Sequence, residues 1–233
     1  MRRSLGVLLA ALLAAAAMAP ARGSQATIWG FVDGAGVAHL AASPLDARYQ
    51  PLLGAGPERR VPGKTDSAGG LMTWLEIAPE VRVLRPWLRE AADAHGVDAS
   101  LLMALIAVES GFDAMAVSPR GALGLMQIMP ASGDRYATAA ERQRPVEERL
   151  RDPRTNILTG ARMLADLQQR FGRIDTALAA WNAGEGRVRR AGNRLPRIAE
   201  TEAHVEMVLE LYWALLQREQ AQRARSIRVT PSR

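Results

Sequence analysis

The stretch Asp98-Ala99-Ser100-Leu101-Leu102-Met103-Ala104-Leu105-Ile106-Ala107-Val108-Glu109-Ser110-Gly111 decides the fold. Asp98 is a helix N-cap, Gly111 a C-terminal stop, and the residues between are apolar almost all round. A helix of that kind is the buried centre of a domain, so its neighbours must be further helices or a sheet that cover every side. Its single internal carboxylate is Glu109. Three, four and seven residues before it stand Ile106, Leu105 and Leu102, which places Glu109 on a core-facing side of the helix, at the edge of the core. It also lies in the last turn, at the negative end of the helix dipole. Desolvation and dipole both favour the protonated form, which is the form a general acid needs. A half-exposed glutamate at a helix end has the same sequence signature.

Working outward, the apolar spacing stays helical. Pro86 opens a helix that runs to His95 before Gly96, and Asp152-Pro153 opens a long one reaching Phe171 before Gly172. Asp175 is expected to cap another that ends near Ala183 before Gly184. Thr201 begins a last helix whose Val205, Val208, Leu209, Tyr212, Leu215 and Leu216 form an apolar stripe. The spacing therefore predicts a mainly α domain over residues 74–217, followed by a polar, basic tail over 218–233. Before it, residues 54–73 are rich in Gly, Pro and charge without an apolar period and read as a linker. Residues 24–53 read as a small β-hairpin segment, with Ile28–Val32 and Val37–Leu40 flanking a Gly-rich turn.

The whole chain has 233 residues, 48% hydrophobic and 23% charged, with no cysteine and a formal charge of +6. Collagen-like, disulfide-scaffold and wholly disordered classes are excluded, as are zinc–thiolate sites, a cysteine nucleophile and a lipid-modified cysteine. Met1-Arg2-Arg3, the uncharged apolar run Leu5–Met18 and the small residues Ala19-Pro20-Ala21 have the pattern of a secretory signal over residues 1–23. Its removal takes Arg2 and Arg3 from the charge of +6, leaving +4, or +3 if Arg22 goes too. The reading is thus an exported protein of the periplasm that is not a lipoprotein. The basic C-terminus lacks interleaved aromatics, which argues against nucleic acid as a partner.

Two further segments carry candidate chemistry. In Ala116–Pro130, Gly121 and Gly124 allow close backbone approach to a ligand, and Gln127 offers both an amide donor and an acceptor. Met126 beside it serves equally well as core filler. In Ala180-Trp181-Asn182-Ala183-Gly184 a flat aromatic face stands next to an amide, the pairing a sugar site uses, although both residues would also suit a helix terminus packed on the core. Asp113 is the nearest candidate for a second carboxylate, but its turn-like surroundings favour a capping role.

In their order, Glu109-Ser110, Gly124-Leu125-Met126-Gln127 and Ala180-Trp181-Asn182-Ala183-Gly184, these motifs make the chain resemble the soluble lytic transglycosylase family, from about Leu84 to Leu216. The resemblance implies a goose-type lysozyme-like fold and cleavage of the β-1,4 bond between N-acetylmuramic acid and N-acetylglucosamine, with 1,6-anhydro ends. It implies one acid/base, Glu109, and neither metal nor cofactor. It implies that Ser110 positions Glu109 and the sugar, that Met126 and Gln127 contact saccharide, and that Asn182 supplies an amide contact. The expected partners are peptidoglycan glycan strands acted on by a monomer, either in general wall remodelling or beside an envelope-spanning secretion or conjugation apparatus.

The chain departs from the family in two places. Trp181 stands where the family has Tyr, exchanging a hydroxyl for an indole N–H. His204, in Glu200-Thr201-Glu202-Ala203-His204-Val205, also replaces a Tyr that is expected to hydrogen-bond near the catalytic Glu. His204 either donates a similar bond or is a helix histidine without a role. A wall-binding module with weak catalysis, or a hydrolytic muramidase, fits the same motifs.

Overall fold

The computed structural model describes residues 28–32, 38–41, 43–53 and 74–226. The expected signal, the turn at 33–36 and the expected linker at 54–73 lie outside them, as do residues 227–233.

The fold is mainly α, with a small antiparallel sheet, as the apolar spacing predicts. Strands β1 (Ile28–Val32) and β2 (Ala38–Ala41) pair with Phe31 opposite His39 and Gly30 opposite Leu40. A third strand, β3 (Gln50–Leu53), joins the other side of β1 to give the order β2-β1-β3. The hairpin reading did not include it; its Pro51 has no N–H to donate, which an edge strand tolerates.

The helices are α1 (Pro79–Arg82), α2 (Arg85–His95), α3 (Ala99–Ser110), α4 (Pro130–Arg135), α5 (Val146–Arg151), α6 (Pro153–Phe171), α7 (Ile174–Ala183), α8 (Glu185–Arg190) and α9 (Ala199–Ser226). The caps of α3 follow from composition: the Asp98 carboxylate accepts from the N–H of Ser100 and Leu101, and Gly111 takes the left-handed conformation at φ 58°. Asp152 likewise accepts from the Thr155 N–H at the head of α6. Asp175 is not a cap, contrary to expectation: α7 begins at Ile174, with Arg173 at the N-cap, and Asp175 sits in its first turn.

Helix α3 is the centre. Leu101, Leu102, Leu105 and Ile106 are each at most 1% exposed. Burying four such side chains contributes on the order of 6–12 kcal/mol, comparable to the whole net stability of a domain. Helix α9 packs across α3 and α7 through Val205, Val208, Leu211 and Leu215, while α2 and α7 flank α6. The expected tail is also corrected. Helix α9 continues to Ser226, because Arg218 and Gln222 reach back to the Glu76 carboxylate and give its last turns a partner.

Candidate active site

Glu109 ends α3 where the core opens. Its side chain is 15% exposed, and both of its hydrogen bonds fall on one oxygen. Trp181 donates its indole N–H to Oε1 at 2.9 Å, and His204 Nε2 meets the same Oε1 at 2.9 Å. Trp181 Nε1 is a donor only, so Oε1 acts as an acceptor. The other ring nitrogen of His204, Nδ1, is buried without a partner among the described residues. A lone pair there costs less than an orphaned N–H, which assigns the proton to Nε2 and makes His204 the second donor. Oε2 takes no hydrogen bond among the described residues, and it is the oxygen free to exchange a proton.

Helix α9 delivers this arrangement with two residues one turn apart. His204 reaches Glu109, and Thr201 Oγ1 donates to Asn182 Oδ1 at 2.8 Å. Fixing the Asn182 oxygen leaves its NH₂ available to a ligand. Trp181 and Asn182 sit near the C-terminal end of α7, and Gly184 ends that helix at φ 86°.

The third motif is a tight loop. Leu123 exchanges backbone hydrogen bonds with Ile128, and the Gly124 N–H bonds the Ala116 carbonyl. Gly124 adopts φ 73°, and a Cβ there would run into the Leu150 carbonyl and the Asn156 amide, so glycine is required on both counts. Gln127 holds φ 45° and donates its side-chain NH₂ to the carbonyls of Gly124 and Ala116. Its Oε1 remains as an acceptor for a ligand. Asn156, wholly buried on α6, accepts from the Met126 N–H and donates to the Leu123 and Leu150 carbonyls.

These pieces surround a groove. A cavity of about 550 Å³ is lined by Glu109, Gln127, Met129, Trp181, Asn182 and the turn Ser118-Pro119-Arg120. Met129, Trp181 and Asn182 also border a further cavity of about 570 Å³ that runs towards Arg135, Tyr136 and Glu185. At that end burial, together with the hydrogen bond to Asp166, pushes the Tyr136 phenol up to about 12. Burial opposes ionisation of Glu185, but hydrogen bonds from Arg189 and Arg135 and the nearby Arg170 hold its carboxyl below the usual range.

Several expected contacts are corrected. The Met126 side chain is fully buried against Gly160 and cannot touch a ligand; the core-filler role is the one it takes. The Ser110 hydroxyl donates to the Leu125 carbonyl at 2.7 Å, tying α3 to the loop rather than contacting Glu109. His204 is 7% exposed and meets the carboxylate, not the groove. Asp113 accepts from the Met115 N–H, the capping role its turn suggested. Sequence reasoning missed Asn156, Thr201 and Met129, which look like ordinary helix and loop residues until their partners are seen. Among the described residues no cluster of His, Asp and Glu is suited to hold a metal ion, and no helix is long and apolar enough to cross a membrane.

The model of the family described as "Transglycosylase SLT domain" matches residues 86–202. A membrane-bound lytic murein transglycosylase C of Serratia proteamaculans is 36% identical over 115 residues, covering 45% of this chain and 32% of that protein. Its counterpart in Haemophilus influenzae is 33% identical over 123 residues, covering 48% and 34%. The chain thus spans about a third of the length of these curated relatives. Among solved structures, an inactive mutant of the lytic transglycosylase Slt of Pseudomonas aeruginosa superposes with a TM-score of 0.53 at 29% identity, covering 66% of this chain and 27% of that one. The 70 kDa soluble lytic transglycosylase of Escherichia coli gives a TM-score of 0.53 at 30% identity, covering 65% and 27%.

Proposed function

Because the chain belongs to the transglycosylase SLT domain family, we propose that it is a peptidoglycan lytic transglycosylase that cleaves the MurNAc-β-1,4-GlcNAc bond and leaves 1,6-anhydro-MurNAc ends. The observation that carries the reading is the half-buried Glu109 carboxylate, which no arginine holds. Glu200 is exposed beside Arg120, and Glu185 is held by Arg135, Arg170 and Arg189. Glu109, its side chain 15% exposed, is the one among these described groove carboxylates with no arginine partner.

Glycosidases with two carboxylates divide acid and nucleophile between them; here the second role falls to the substrate's own 2-acetamido group. Glu109 Oε2 protonates the leaving glycosidic oxygen, and the acetamido carbonyl stabilises the anomeric carbon as the bond breaks. The same carboxylate, now ionised, accepts the proton of the muramoyl 6-hydroxyl while that oxygen attacks the anomeric carbon. Bond and proton balance without water, metal or cofactor. The N–H donors of Trp181 and His204 keep the carboxylate orientation fixed through both proton transfers. Gln127 Oε1 and the Asn182 NH₂ fit the hydroxyl and acetamido groups, and Trp181 and Met129 give the sugar an apolar face.

The envelope is the location we infer. The support is the signal-like N-terminus, and relatives that are named membrane-bound. Within it we place the protein in the periplasm, on the glycan strands.

Substituting Glu109→Gln tests the assignment. The amide oxygen still accepts from Trp181 and His204, so the fold should persist, while loss of the proton lowers turnover by about 10²–10⁴-fold. Mass spectrometry of digested sacculi reads the anhydro ends. Undiminished release by the variant overturns the reading, and reducing ends from the unaltered protein indicate a hydrolytic muramidase.

A further inference from the structure

We propose that the N-terminal sheet is a wall of the substrate groove, with Tyr49 and His39 forming a saccharide subsite next to Glu109; this rests on the glycan-cleaving reading above. Glu109, Ser110 and Gln127 line a second cavity, of about 370 Å³, whose other lining residues include His39, Leu40 and Tyr49. Trp181 does not border it. Strand β2 packs against α3, and Leu40 packs on the helical core, so the sheet is held at this place.

An acid that protonates a glycosidic oxygen requires a sugar on each side of that oxygen. The cavity bordered by Trp181 receives one. The other cavity starts at the same carboxylate, so the strand leaving the scissile bond in that direction runs along the sheet. These residues precede the 86–202 match, so the family domain itself does not provide this wall.

The side chains are set for the task before any ligand arrives. The His39 ring stacks on Phe31 with centroids 4.7 Å apart and planes 13° from parallel, and Tyr49 meets the same ring edge-on at 5.1 Å. The Arg48 guanidinium carbon lies 4.5 Å from the Phe31 centroid and is tethered by Asp46. Phe31 thereby fixes both neighbours. A phenol and an imidazole held this way offer flat faces to a pyranose and polar tips to its hydroxyl and acetamido groups. Ordering them in advance removes part of the entropy cost of binding.

The test measures binding of peptide-free glycan-strand oligosaccharides by calorimetry to the Glu109→Gln protein, which binds without turnover, alone and combined with Tyr49→Ala or His39→Ala. Each substitution should weaken binding about fivefold to tenfold, more for long oligomers than for short ones. Tyr49→Phe preserves the contact with Phe31 and serves as the folding control; it should lose only about twofold to threefold. In the active protein the same changes should raise KM with kcat kept within about threefold. Affinities within about twofold of the parent, a kcat loss with KM unchanged, or no oligosaccharide binding at all overturns the subsite. If Tyr49→Ala weakens binding while the unaltered protein releases no anhydro ends, the subsite stands and the transglycosylase reading falls.

Discussion

His204 Nε2 lies 2.9 Å from Glu109 Oε1, across 95 residues of sequence, and the Trp181 indole N–H shares that oxygen. Two nitrogen donors thus stand where the family resemblance leads one to expect tyrosine hydroxyls. Both carry a polar hydrogen to the same carboxylate oxygen. A hydrogen bond to a charged group contributes about 1.5–3 kcal/mol. Replacing His204 by Phe should therefore lower kcat about tenfold to a hundredfold while leaving KM nearly unchanged, since the ring does not border the groove. His204→Tyr restores a hydroxyl donor and should recover most of the activity. Trp181→Phe should alter kcat and KM together, because that ring also lines the groove. The double variant should lose less than the product of the two, as both donors act on one oxygen. A kcat for His204→Phe within about twofold of the parent rules out the positioning role.

Asn156 should matter for a different reason. Its amide fastens the Met126 N–H and the carbonyls of Leu123 and Leu150, all in the interior. Asn156→Ala takes the amide partner from one donor, the Met126 N–H, and one acceptor, the Leu150 carbonyl, and leaves the Leu123 carbonyl with the Ile128 N–H alone, at a cost of about 3 kcal/mol in total. For a domain of this size that is a fall in Tm of roughly 6–12 °C, measurable by thermal unfolding. Because the loop it holds ends in Gln127, activity assayed well below the melting range should also drop. A change in Tm under about 2 °C would show that the loop does not depend on this residue.

The parts of the fold that could be read in advance are those governed by local chemistry. Asp98 and Gly111 mark the ends of α3 by capping alone, and a lone carboxylate in an apolar helix draws the eye to Glu109. What stayed hidden depends on distant partners. Asn156 lies in the first turn of an otherwise ordinary helix, and nothing near it in sequence shows that its amide serves a loop 30 residues earlier. Thr201 was visible as a helix start, but not as the clamp on Asn182. Met126 and Ser110 were placed by motif, and a motif does not say whether a side chain or its backbone faces the ligand. Here the Met126 side chain fills the space that Gly160 leaves, and its backbone N–H secures the turn. The end of α9 was concealed by a polar composition that resembles a fraying tail.

That last misreading leads to a prediction about acid stability. Arg218 embraces the Glu76 carboxylate, Nε to Oε1 at 2.5 Å and Nη2 to Oε2 at 2.6 Å, and thereby joins α9 to the segment before α1. The Arg218 hydrogen bonds hold the Glu76 carboxyl below its ordinary value of 4.5, against the opposing effect of burial. A group depressed on folding contributes stability above its unfolded value, and that contribution disappears as the pH falls through the folded one. Both side chains are nearly a third exposed, so solvent screening limits the pair to about 0.5–1 kcal/mol at neutral pH. Arg218→Ala should thus lower stability by that amount near pH 7. The deficit should shrink towards zero as the pH is lowered below the usual carboxylate range. Urea unfolding of both proteins over a pH series reads the difference directly. A deficit that stays constant into strong acid would mean that Arg218 stabilises α9 through its aliphatic stem rather than through Glu76.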